Sequence, residues 1–255
     1  MDKKESFGGE IAKQVPVKAV YDDVFHPPLT EVGKALQGAT RIALAPISAL
    51  VWGYDKIASY LDTAIPEYFA KRRIDQEKIK TPDPSIAVPA VFAMTYNFHK
   101  PELREMFTNL LGASMNADVV DEHPAFVEII KQMCSDEGKL LREICKEEIL
   151  PMIKFRLKTG DQGEFEVLPY FSDVCYRIGC DYPHKFPEYL DNLRRHGLIE
   201  VEVNRCLAND EYYESLKKHP ACRKPQLQSG QSVKEVKSIY RISDFGKKFC
   251  SVCMG

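Results

Sequence analysis

What the chain lacks narrows its class before any motif is read. The first ten residues, MDKKESFGGE, hold no apolar run, which predicts no secretory leader. There is no Gly-rich phosphate loop, no HExxH and no GxSxG nucleophile elbow. Nothing therefore points to nucleotide, zinc-protease or α/β-hydrolase chemistry. A membrane-spanning helix needs about 20 mostly apolar residues, and the nearest approach is Leu36–Tyr54. That stretch carries Arg41 as its only charge, but Gly38, Pro46 and Ser48 interrupt it.

The cysteines and histidines are few in useful combinations. Eight cysteines with no export signal predict reduced thiols in the cytoplasm. Only Cys250 and Cys253 have CxxC spacing. Structural zinc takes four ligands, usually as two close pairs, so no metal is expected and Cys250 reads as a small core residue. The six histidines are scattered, and no two of them stand at a helical ligand spacing. No motif supplies a nucleophile, a base and an orienting group together. The expectation is a non-enzymatic protein with no cofactor.

What is present is a chain of 255 residues, 44% hydrophobic and 28% charged, enough apolar residue for a packed core. The net charge of −2 conceals an asymmetry. The segment 217–248 has nine basic residues against Glu235 and Asp244, a local charge of +7 on a body of −9.

The clearest periodicity lies early. Leu36, Thr40, Ala43, Ile47, Leu50, Tyr54, Ile57, Leu61, Ala64 and Tyr68 alternate in steps of four and three, a helical stripe that Pro46 should kink. Beyond Tyr54 the other faces are polar. Before it, Ile42, Leu44, Ala45, Val51 and Trp52 make the helix apolar all round, which implies burial in protein, in a partner or in lipid. Leu44, Ile47, Leu50, Val51, Trp52 and Tyr54 are the candidate membrane or partner contacts. Thr81-Pro82-Asp83-Pro84 then breaks the chain.

Helices are expected at 85–98, 102–115, 126–133 and from Ser135. Met152–Leu157 and Phe165–Leu168 suggest a short hairpin across Gly160–Gly163. Helices at 170–178 and 186–196, a strand at 198–203, a long polar excursion to Ser232, a strand at 236–242 and a last helix follow. That order predicts a winged helix. The fold expected is mainly α, a helical N-terminal region followed by a winged-helix-like α+β domain. The divisions are a flexible 1–16, helical regions 17–84 and 85–134, and the winged domain 135–255.

A winged helix raises nucleic acid as a partner. The helix at 186–196 offers only Arg194 and Arg195 against Glu188 and Asp191, a poor reading face. Lys234, Lys237, Arg241, Lys247 and Lys248 are the residues that would hold phosphates instead.

Five phrases carry a family resemblance. They are LAPISALVWGYDKI (44–57), PELREMFTNLL (101–111), HPAFVEIIKQ (123–132), Tyr189–Ile199 and Asp244–Phe249. Together, over 17–252, the chain resembles the abortive-infection alpha family of bacterial proteins. The resemblance implies phage defence, in which an infected cell stops growing or dies before progeny emerge. It carries over no catalytic residue. With the all-round apolar stretch and the charge split, the expected function is that of a non-enzymatic sensor or effector working through the apolar N-terminal helices on a host or phage protein or a membrane surface. The place expected, from the lack of an export signal and from the apolar stretch, is the cytoplasm or the inner face of the membrane. Nucleic-acid binding by the basic 217–248 segment is the alternative.

Overall fold

The computed structural model describes residues 54–159, 163–223, 227, 229 and 231–255. The helical region expected before Tyr54 lies outside the described residues. The chain divides into two compact units.

Within the first unit the described residues are 54–99 and 107–127. α1 (Tyr54–Arg72) buries Ile57, Leu61 and Tyr68 of the sequence stripe, and Ile65 beside the half-buried Ala64. Its exposed side carries Asp55, Lys56 and Glu67, as an amphipathic helix requires. α2 (Pro84–Asn97) starts where Asp83 caps it, its carboxylate accepting the Ser85 amide at 2.7 Å, with Pro84 in the first turn. The Pro-Asp-Pro break is therefore a helix start. α3 (Pro101–Ser114) buries Phe107, Leu110 and Leu111 in this unit. Gly112 is where the Tyr68 ring packs; a Cβ there would meet ring carbons at 2.5 Å. The backbone of Lys78 and Lys80 bonds to that of Ala117 and Met115, closing the unit's lower edge.

The second unit, 100–106 and 128–255, holds the sheet. α4 (Ala125–Lys131) leads into α5 (Ser135–Glu147), which buries Leu140, Leu141 and Ile144. Four strands follow: β1 (Ile149–Thr159), β2 (Glu164–Phe171), β3 (Ile199–Glu202) and β4 (Gln231–Ile242). Their order is β2-β1-β4-β3, every neighbouring pair antiparallel. Between strands stand α6 (Val174–Arg177), α7 (Phe186–Arg195) and α8 (Glu211–Lys218), and α9 (Asp244–Cys253) ends the chain.

This corrects the expected class. The described protein is mixed α and β around a four-stranded antiparallel sheet, not a mainly helical chain ending in a winged helix. The reason is the partner of β4. It pairs with β3 over four positions but with β1 over eleven, from Ile149 opposite Arg241 to Thr159 opposite Gln231. β1 is buried on both faces between Leu150 and Phe155, except at Pro151. A strand covered on both faces belongs inside a sheet, not in an isolated hairpin. The expected helix at 170–178 shrinks to α6, because Tyr170 and Phe171 continue β2.

One face of the sheet carries Ile153, Phe155 and Phe171, which pack with Tyr213, Leu216 and Cys222. α8, which supplies Tyr213 and Leu216, forms inside the polar excursion. The opposite face carries Leu150, Met152 and Tyr240, and the Tyr240 ring lies 5.5 Å from that of Phe186 on α7.

Two phrases far apart in sequence lock together. Gly197 ends α7 at φ +72°, a left-handed conformation that glycine tolerates. Ser243 caps α9, accepting the Gly246 amide at 2.8 Å while its hydroxyl donates to the Gly197 carbonyl. A Cβ on Gly246 would fall 2.0 Å from the Leu198 carbonyl oxygen. Gly246→Ala is therefore expected to destabilise the protein by about 2–3 kcal/mol, since backbone must move to admit the methyl. A urea denaturation midpoint equal to that of the parent would contradict this packing.

Candidate functional site

The most organised polar cluster lies at the head of α5, in the sheet unit. Cys134 occupies the cap position, and Glu137 reaches back to accept its amide at 2.7 Å. Acidic residues in a first turn meet unpaired amides and the positive end of the helix dipole. Asp136 and Glu137 are both buried, so each must find partners.

They find them on different elements. Asp136 accepts the amides of Asp181 and Tyr182, each at 2.8 Å, and the Tyr189 hydroxyl at 2.9 Å. The Lys139 ammonium stands 3.5 Å away. Glu137 accepts Asn192 Nδ2 at 2.7 Å, and the same amide donates to the Gln132 carbonyl at 3.1 Å. Arg195 extends the line, donating to Gln132 Oε1 at 2.9 Å. Tyr189, Asn192 and Arg195 are spaced by three, one side of α7. That side is spent on the turn between α4 and α5.

The electrostatics follow from these contacts. Burial pushes the Asp136 carboxyl up, but the two amides, the Tyr189 hydroxyl and Lys139 outweigh it, and the net shift is down. Burial and the bond to Asp136 push the Tyr189 hydroxyl up. The neighbouring thiols are held protonated near neutrality. Burial raises Cys134 and Cys175, and lifts Cys180 to about 11.

Beside this network opens a cleft of about 530 Å³. Its walls mix charge: Lys131 and Lys185 against Asp181 and Glu188, with Tyr182 and Asn192. Among the described residues no group of three or more His, Cys, Asp or Glu side chains could hold a metal ion. His123 and His219 serve locally, each accepting the amide two residues ahead through Nδ1.

The site residues read from sequence lie elsewhere. Leu44, Ile47, Leu50, Val51 and Trp52 fall outside the described residues, and Tyr54 is the first residue of α1. Among the described residues no helix is long and apolar enough to cross a membrane. Of the basic set, Lys234 pairs with Glu164 at 3.3 Å and Lys237 with Asp210 at 2.8 Å. Arg241 takes Glu202 at 2.6 Å and also Glu200, while Lys247 stands 3.8 Å from Glu148. Lys248 lies on α9. Strand alternation puts Lys234 on one face of the sheet and Lys237 and Arg241 on the other. Four of these five residues thus meet carboxylates from other elements, and Lys234 lies on the opposite face of the sheet from Lys237 and Arg241. This arrangement lends no support to the nucleic-acid alternative.

The cysteines also depart from the sequence reading. Cys145 and Cys250 are joined by a disulfide, while Cys134, Cys175, Cys180 and Cys206 keep free thiols.

Tyr189→Phe removes one donor to a buried carboxylate and should cost about 1–2 kcal/mol at pH 7. Because the Asp136 value is lowered in the folded chain, its contribution is present above the ordinary carboxylate range. It disappears as pH falls through the folded value. Losing the hydroxyl raises that folded value, so the acid-unfolding midpoint should move to higher pH. Circular dichroism along an acid titration of both proteins checks the direction.

No curated protein matches the chain. Among solved structures, an uncharacterized protein from the hydrocarbon-degrading marine bacterium Alcanivorax borkumensis SK2 aligns at 15% identity. The alignment covers 51% of this chain and 92% of that one at a TM-score of 0.32, too low to bear on fold or function. A family model described as abortive infection alpha matches residues 56–253. That span covers parts of both units and the whole polar cluster at the head of α5, and the chain belongs to the abortive infection alpha family.

Proposed function

We propose that the chain acts in phage resistance as a non-enzymatic sensor or effector of the abortive-infection type. The observation that carries this reading is the family match over 56–253. The chemistry at the head of α5 supports the non-enzymatic part. Asp136 and Glu137 spend their carboxylates on internal amides, a phenol and a carboxamide. The nearby thiols are protonated, so a general base or thiolate nucleophile is not on offer there.

The action is assigned to the apolar residues of 36–54, Leu44, Ile47, Leu50, Val51, Trp52 and Tyr54, which contact a host or phage protein or the inner membrane surface. Support comes from the sequence: as a helix this stretch is apolar on every side and runs directly into α1. The cleft beside Tyr182 and Lys185 offers the sensing surface.

Expression of the full chain in a susceptible bacterium, followed by phage challenge, tests the reading. Plaque numbers should fall by about tenfold or more while infected cells die early. Leu50→Asp should restore plaquing at unchanged protein level. Normal plaquing across a broad phage panel would overturn the proposal, as would full resistance with Leu50→Asp in respect of the apolar stretch.

A further inference from the structure

The two joined cysteines sit on helices that meet at the far end of α5 from the cleft. Cys145 is in the last turn of α5 and Cys250 is in α9, 105 positions apart, with Cα atoms at 6.3 Å. The CxxC of the C-terminus is thereby divided. Cys253 is fully buried, while Cys250 is half-buried and turned to Cys145.

The docking of α9 has independent means. Phe249 and Val252 are buried, Ser243 caps the helix, and Gly246 packs against the Leu198 carbonyl. The sulfur link is thus added to helices that already pack. A terminal helix held only by packing opens locally at low cost, and a cross-link suppresses that opening. Both cysteines are half-buried residues, whereas Cys175, Cys222 and Cys253 are buried.

We propose that Cys145 and Cys250 form a reversible thiol–disulfide clamp that sets how firmly α9 is held to α5. A low-molecular-weight disulfide such as oxidised glutathione is the oxidant. One cysteine, as thiolate, attacks its sulfur and releases one thiol, leaving a mixed disulfide. The second cysteine then attacks the protein-bound sulfur and releases the other thiol. Two cysteine S–H bonds are lost, one S–S bond forms in the chain, and the reagent's S–S bond is reduced to two thiols.

The full chain, incubated with oxidised glutathione or with dithiothreitol, provides the test. Non-reducing peptide mapping should show one linked pair, Cys145 with Cys250, present only in the oxidised sample. Far-UV circular dichroism should be the same in both states. Amide exchange over 247–253 should slow by about tenfold on oxidation. Cys145→Ser and Cys250→Ser should each exchange at the reduced rate under either condition, while Cys206→Ser should respond like the parent. Failure to form the pair, persistence of the bond in native chain under dithiothreitol, loss of secondary structure on reduction, or equal exchange in both states would each overturn the clamp.

Discussion

The sheet unit depends on one long-range pairing, the eleven-position ladder between β1 and β4. The two strands are separated by β2, α6, α7, β3 and α8, so the pairing closes a long loop before any ladder bond forms. Burial offsets that cost. Leu150, Met152, Ile153 and Phe155 on β1 and Ile239, Tyr240 and Ile242 on β4 are all withdrawn from water. Once the pair exists it provides both edges on which β2 and β3 assemble, and both faces against which helices pack.

Polar groups then fix what apolar packing leaves free. α7 presents Phe186, Leu190 and Leu193 to the core, which would allow it to slide or rotate. Tyr189, Asn192 and Arg195 remove that freedom by bonding to Asp136, Glu137 and Gln132. An unsatisfied carboxylate at either acid would be costly, so the position of α7 is specified by hydrogen bonds as well as by volume. The exposed residues of this helix, Glu188, Asp191, Arg194 and Arg195, pair two acids with two bases. Arg195, though exposed, bonds to Gln132 and Asn192.

Charge obeys the same logic. A run of lysines and arginines late in the sequence reads as a basic module when its neighbours are only sequence neighbours. In the folded chain its neighbours are Glu164 on β2, Asp210 before α8, and Glu200 and Glu202 on β3. The exposed pairs among these add little stability individually, but each places a negative charge beside a base that would otherwise face a polyanion alone.

Much of the helical framework was legible in the sequence. The stripe Ile57, Leu61, Tyr68 found α1's buried side. The break at Thr81-Pro82-Asp83-Pro84 fell where α2 starts, and the helices expected at 186–196 and at the end of the sequence correspond to α7 and α9, because helix breakers and helical periodicity are local properties. The phrases that carried the family resemblance were equally local. What sequence could not decide was which strand β4 would choose, since its first half, Gln231–Glu235, alternates weakly and its partner lies far upstream. Nor could it show that Asp136 and Glu137 gather Tyr189 and Asn192 from more than fifty residues away. The meeting of Cys145 with Cys250 was hidden for the same reason. Short-range patterns set helices and turns, whereas contacts between distant residues exist only once the sheet has brought their elements together.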